Sequence, residues 1–222
     1  MLTQLAIFDL DGTLIDSIGD LADAMNTVLR ELGHPIHPRD DYRYLVGDGI
    51  EFLVRRALPH EVVEKTDVAE VVQLMRQEYS TRWTATTRPF PEIPRLLGEL
   101  ENQGIRNAVL SNKPDGPTRD IVGELFPDDP FAIVQGARDG VPLKPDPTTA
   151  LEIVSALGAQ PERSIFVGDT SVDMKTGRNA GMRTVGVTWG FRDAEELLDA
   201  GAEHIIEGPL QLLEILESWN VG

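Results

Sequence analysis

Short apolar runs recur along this chain at residues 5–8, 108–110, 131–134, 164–167 and 184–187. Runs this brief and this continuous suit strands buried on both faces. Helical patterning fills the intervals at 93–103, 118–125, 148–157 and 174–180. Strand and helix in steady alternation predict an α/β fold: a parallel-sheet, Rossmann-like core with helices on both faces.

One stretch breaks the rhythm. From about residue 17 to residue 83 only helical periodicity is found, as in Leu21, Ala24, Met25, Val28, Leu29 and Leu32, with more near 50–57 and 62–79. The threonines and prolines of 84–91 disfavour continuous helix. The expected organisation is a core made of residues 1–16 and 84–222, interrupted by an all-helical domain at 17–83.

Charge narrows the partners. With 37 acidic and 20 basic residues the formal net charge is -17. Such a field repels nucleic-acid phosphates and anionic lipid head groups, so neither nucleic acid nor membrane is expected as a partner. A small anionic substrate needs locally concentrated positive charge, which a divalent cation can supply. The absence of cysteine excludes thiolate nucleophiles, disulfides and zinc–sulfur sites. The N-terminal apolar run is too short for a secretory signal, and no apolar stretch approaches the ~20 residues of a membrane helix. A soluble, cytoplasmic protein is expected, either a monomer or a homodimer.

Ligands of open parallel sheets collect beyond the carboxyl ends of the strands, so the residues closing each run are informative. The first run ends on Asp9-Leu10-Asp11-Gly12-Thr13 and the second on Ser111-Asn112-Lys113. Lys144-Pro145 comes later, then Gly168-Asp169-Thr170 with Asp173. Taken singly these are a turn, a cap, a solvated lysine and a helix N-terminus. Taken together they are carboxylates, a hydroxyl and a lysine converging on one sheet edge.

That set suits phosphoryl transfer. A carboxylate can attack phosphorus and divide hydrolysis into two easier steps. Its negative charge, and that of the substrate, calls for a hard cation on oxygen ligands, for which magnesium is suited. Asp9 and Asp169 can offer carboxylate oxygens, and Asp11 its backbone carbonyl. Lys144 can offset further charge, while Ser111 and nearby N–H groups hold phosphoryl oxygens. The Asp11 side chain can protonate a leaving alcohol and then activate water.

At these residues the chain resembles the haloacid dehalogenase superfamily of phosphatases. Residues 9–17, Asp9-Leu10-Asp11-Gly12-Thr13-Leu14-Ile15-Asp16-Ser17, are similar to its first motif almost letter for letter. Ser111-Asn112, Lys144-Pro145 and Gly168-Asp169-Thr170-Ser171-Val172-Asp173 resemble the other three, in order along the whole chain. The resemblance implies Asp9 as nucleophile, Asp11 as general acid/base, and magnesium on Asp9, Asp11 and Asp169. Asp173 is then expected to hold a metal-bound water or orient Lys144, with Thr13 and Asn112 near substrate. The inserted segment resembles the family's small cap. Dehalogenases of the superfamily lack an acid at the position of Asp11, and the only lysine of the insert, Lys65, is misplaced for a phosphonatase.

Arg43-Tyr44-Leu45-Val46-Gly47-Asp48-Gly49-Ile50 is similar to the cap loop of phosphoglycolate phosphatases, as is Ser111-Asn112-Lys113-Pro114. Read functionally, Gly47 and Gly49 allow close backbone approach to a ligand, and Arg43, Arg55 or Lys113 can receive a substrate carboxylate. Read blandly, the glycines form a turn and the cations are surface charges. The resemblance therefore implies a small phosphate ester as substrate, with 2-phosphoglycolate first. Pyrophosphate, a nucleotide or a sugar phosphate (including a phosphomutase reaction) are alternatives, and a non-enzymatic scaffold is disfavoured by the complete motif set. Trp189 and Phe191, after the last run, fit either the core or the rim of a site. His34, His37, His60 and His204 show no metal-ligand spacing.

Overall fold

The chain enters through β1 (Leu5–Phe8), whose four residues are all buried, as an uninterrupted apolar run requires. A turn through Gly12, at φ 87°, leads to β2 (Ile15–Asp16). The structure, a computed structural model, describes residues 2–65 and 67–220. Met1, Val221 and Gly222 of the expected core, and Thr66 of the expected insert, lie outside them. Contacts divide the chain into two compact units, Met1–Ile15 with Pro89–Gly222, and Asp16–Arg88.

The smaller unit is helical. Its elements are α1 (Ile18–Glu31), α2 (Tyr42–Leu45), α3 (Ile50–Ala57), α4 (His60–Val63) and α5 (Val68–Ser80). The stripe Leu21, Ala24, Met25, Val28 and Leu29 is the buried face of α1, and Val68, Val71, Val72, Met75 and Tyr79 that of α5. Spacings of three and four residues bring these side chains onto one face, and α1 and α3 both pack on α5. Leu32, the last residue of the expected stripe, lies past the end of α1 and is exposed. Asp20, buried in the first turn of α1, accepts hydrogen bonds from the backbone N–H and hydroxyl groups of both Thr86 and Thr87.

Where the chain leaves and re-enters the larger unit, β3 (Arg88–Pro89) pairs with β2 in a two-stranded sheet. There follow α6 (Ile93–Asn102), β4 (Arg106–Pro114), α7 (Asp115–Leu125), β5 (Ile133–Ala137), α8 (Thr148–Ala156), β6 (Ser164–Gly168), α9 (Ser171–Asn179), β7 (Arg183–Val187), α10 (Ala194–Asp199), β8 (His204–Ile206) and α11 (Gln211–Asn220). The main sheet has six strands in the order β5-β4-β1-β6-β7-β8, all in parallel pairs. One core cluster sets Leu5, Ile7, Leu110 and Phe166 of the sheet against Ile153 and Val154 of α8. Another sets Met174 of α9 against Leu197 and Ala200. Among the described residues, no helix is long and apolar enough to cross a membrane.

Chain order reverses at β1: β4 and β5 lie on one side, β6 to β8 on the other. In register, Phe8 faces both Val109 and Val167. The residues that follow those three positions therefore share one edge, at the switch point where such sheets bind ligands. Two differences from the sequence reading stand out. β4 runs on through Ser111–Pro114 instead of stopping at Leu110. β8, α10 and α11 had no counterpart in it; β8 is three residues long, follows Glu203 and opens on His204, which leaves only Ile205 and Ile206 as apolar signal.

Candidate active site

Asp9 leaves β1 directly at that edge, held by a 3.0 Å bond from its N–H to the carbonyl of Val167. Lys144 arrives from the other side of the sheet, after β5. Its backbone is clipped to Asn112: Lys144 N donates to Asn112 Oδ1 at 2.9 Å, and Asn112 Nδ2 donates to the Lys144 carbonyl at 3.2 Å. The peptide bond from Lys144 to Pro145 is cis. Thus fixed, the Lys144 ammonium reaches Asp9 Oδ1 at 2.8 Å and Asp173 Oδ1 at 2.7 Å. Asp173 spends its other oxygen on the N-terminus of α9, accepting from Thr170 N at 3.0 Å and Thr170 Oγ1 at 2.6 Å in a capping box.

Asp169 follows β6 and is fully buried. Thr13 Oγ1 donates to its Oδ1 at 2.9 Å, and the backbone N–H of Phe191 donates to its Oδ2 at 2.8 Å. Two glycines make room for it. A Cβ built on Gly12 would lie 2.3 Å from Asp169 Oδ2, and one on Gly190 would lie 2.4 Å from Asp169 Cβ. Only hydrogen at these Cα atoms permits so close an approach.

Electrostatics and geometry agree on what this cluster can hold. Asp9, Asp169 and Asp173 each bring a carboxylate oxygen within 4.8 Å of the others. One lysine cannot balance three buried carboxylates. Burial pushes the Asp9 carboxyl up to about 7, against the pull of Lys144. Burial, with Asp173 and Asp9 nearby, holds Asp169 well above the usual carboxylate range. Burial would lower the Lys144 ammonium, but Asp173 and Asp9 outweigh it and raise it. An all-oxygen, doubly over-negative cluster fits a hard divalent cation such as magnesium.

The remaining members of the first two motifs stand beside this cluster. Ser111 is buried, and its Oγ accepts from Lys113 N at 3.2 Å. The Lys113 ammonium binds both oxygens of Asp11, at 2.7 and 2.9 Å. The Asp11 carboxylate is therefore engaged with Lys113 and stands outside the close group formed by Asp9, Asp169 and Asp173.

Two residues expected near substrate have partners within the protein. Both donors of Thr13 are committed, its hydroxyl to Asp169 and its N–H to the carbonyl of Leu10. Thr13 positions Asp169. The Asn112 side chain sets the Lys144 backbone and keeps a second N–H on its amide nitrogen. Arg43, Gly47 and Gly49 belong to the smaller unit: Arg43 lies on α2, and the glycines have φ of 118° and 99° on either side of Asp48. Arg55, the other cation considered there, pairs with Glu51 at 2.8 Å.

The segment after β7 is the part the sequence reading left open. Besides the Phe191 N–H and Gly190, Trp189 contributes by donating from Nε1 to the Thr13 carbonyl at 3.0 Å. The available signal was positional: this segment follows a predicted strand at the same sheet edge as the other motifs. Its contributions come mostly through backbone and an absent side chain, which residue chemistry does not display.

A family model described as haloacid dehalogenase-like hydrolase matches residues 6–187. A phosphoglycolate phosphatase of Aquifex aeolicus is 35% identical over 188 residues, covering 85% of this chain and 86% of that protein. A phosphoglycolate phosphatase of Pseudomonas putida is 32% identical over 216 residues, covering 96% and 79%. The crystal structure of a phosphoglycolate phosphatase candidate from Lactobacillus delbrueckii superposes with a TM-score of 0.91 at 31% identity, covering 97% of this chain and 99% of that one.

Proposed function

This chain belongs to the haloacid dehalogenase-like hydrolases, and from that premise we propose that it is a magnesium-dependent phosphomonoesterase acting through an aspartyl-phosphate on Asp9, with 2-phosphoglycolate as substrate. The observation that carries this reading is Asp9 itself. It is a buried carboxylate on a strand end, held by Lys144 and set among carboxylates that call for a cation.

Each residue then has a task. An Asp9 oxygen bonds to phosphorus as the ester P–O bond breaks, and Asp11 passes a proton to the departing alkoxide. In the second half, Asp11 takes a proton from water, whose oxygen attacks phosphorus. The acyl-phosphate bond breaks, phosphate leaves and the Asp9 carboxylate is restored. Lys144 steadies the charge on Asp9 and on the phosphoryl oxygens, and Ser111 has a hydroxyl proton to donate to one of them. Asp173 positions Lys144. Asp9, Asp169 and the Asp11 carbonyl would hold magnesium, which supplies positive charge against the meeting of two anions.

The choice of 2-phosphoglycolate rests on the named activity of the relatives and on the loop 43–50. In this reading Gly47 and Gly49 let backbone approach the substrate, and Arg43 is a candidate for its carboxylate. The test is phosphate release from a panel of phosphomonoesters and pyrophosphate, with and without magnesium. Magnesium-dependent release preferring 2-phosphoglycolate is expected. Release confined to another ester would remove the substrate and keep the chemistry, and silence across the panel would remove both.

A further inference from the structure

Lys113 differs from Lys144 in one respect that bears on selectivity. Lys144 sits between two buried carboxylates, one of which, Asp173, is itself fixed by Thr170. Lys113 holds the side chain to which the phosphomonoesterase reading gives the proton transfers, and it holds both oxygens of it. The lysine side chain is 8% exposed and the Asp11 side chain 18%, so the pair is largely withdrawn from water.

The backbone of Lys113 is pinned on both sides. Its N–H donates to Ser111 Oγ at 3.2 Å, and its carbonyl accepts from Thr118 Oγ1 at 3.1 Å. Any change of partner by the ammonium must therefore come from the flexible four-carbon stem. A carboxylate of Asp11 engaged twice by one ammonium carries no proton for a leaving oxygen; once released, it takes one from water and then gives it to that oxygen. Removing that ammonium to nowhere would leave a charge unpaired in a poorly hydrated place, which is costly. Handing it to another carboxylate conserves the ion pair.

We propose that Lys113 is exchanged between Asp11 and an anionic group of the substrate, so that a phosphomonoester carrying a carboxylate beside its ester carbon releases Asp11 for the reaction while a neutral one does not. The inference rests on the phosphomonoesterase reading and adds to it a residue that couples recognition to the acid–base group. A site that must pair a buried charge discriminates far more sharply than one that only fills space.

The decisive comparison is 2-phosphoglycolate against ethyl phosphate, which keeps the two-carbon skeleton and lacks the carboxylate. In Lys113→Gln, kcat/KM for 2-phosphoglycolate should fall by at least ~30-fold, the loss typical of removing one partner of a buried charge pair. For ethyl phosphate it should rise, because Asp11 is no longer held. Lys113→Arg, which keeps the charge, should retain the carboxylate preference. Equal losses on both esters in Lys113→Gln, or an unchanged ratio, would overturn the exchange. A second variant reads the same exchange without turnover and without disturbing Lys113. Asp11→Asn removes the resting partner, so calorimetric binding of 2-phosphoglycolate should tighten by ~10-fold while that of ethyl phosphate does not. No such difference would also overturn it. Failure of the unaltered protein to release phosphate from either ester would sink the phosphomonoesterase reading instead, leaving the binding comparison to decide the exchange.

Discussion

Phe191 and Asp169, twenty-two residues apart, are joined by a 2.8 Å hydrogen bond from the Phe191 backbone N–H to Asp169 Oδ2. The segment after β7 thereby orients a carboxylate that belongs to β6, with Gly190 packed against it. An added Cβ at Gly190 would meet the Gly12 carbonyl at 2.4 Å as well as Asp169. Gly190→Ala is expected to lower magnesium affinity and turnover by ~10- to 100-fold, as loss of a ligand-orienting contact does. Rate against magnesium concentration, with calorimetry of magnesium binding, measures both.

Asp9→Asn should lower turnover by ~10⁴-fold or more, since the amide cannot form the acyl-phosphate. The amide is nearly isosteric and relieves charge in an over-negative cluster. Near-ultraviolet circular dichroism and thermal midpoint should therefore show a fold at least as stable as the parent. A variant that kept parental rates would remove Asp9 from the role of nucleophile.

Asp9 also predicts how stability depends on pH in metal-free protein. Its carboxyl is raised from 3.8 to about 7 by burial, so the folded state binds this proton more tightly than the unfolded chain. Folding is then favoured at low pH by this group, and the advantage is lost as pH rises from about 4 to about 7. Asp169 acts in the same direction. The thermal midpoint of chelated protein should fall over this window unless other groups compensate. Saturating magnesium should flatten the slope, as should Asp9→Asn. A metal-free midpoint whose pH slope is the same in Asp9→Asn would contradict the prediction.

Asp20 gives the opposite sign. Burial pushes its carboxyl up, but the hydroxyl and backbone donors of Thr86 and Thr87 prevail and hold it below 3.8. Its contribution is present above the unfolded-chain value of about 3.9 and is lost as pH falls through the lower folded value. Asp20→Ala strands two N–H groups and two hydroxyls, and should destabilise the protein by about 3 kcal/mol. Urea unfolding of variant and parent at neutral pH and near pH 3 would show the difference shrinking in acid.

Much of this was legible before any coordinates. Asp9, Ser111 and Asp169 could be placed on one edge because each follows a continuous apolar run, and parallel strands in register align their carboxyl ends; Lys144, ten residues past its run, joined them through the order of the motifs. The helical stripe from Leu21 to Leu29 was readable for a similar reason, since a 3.6-residue period is a property of local geometry. β8 was not readable, because His204–Ile206 becomes a strand only by pairing with β7.

Read alone, the chain showed the alternation of strands and helices as far as β7, the polar set at the strand ends and the kind of chemistry that set can perform. These follow from periodicity and from residue types, which are local properties. Tertiary structure decided which donor meets which acceptor. Thr13 serves Asp169, Asn112 serves the Lys144 backbone, and Lys113 holds Asp11. A hydroxyl, an amide and an ammonium can each bond many partners, and only the packed geometry removes the alternatives.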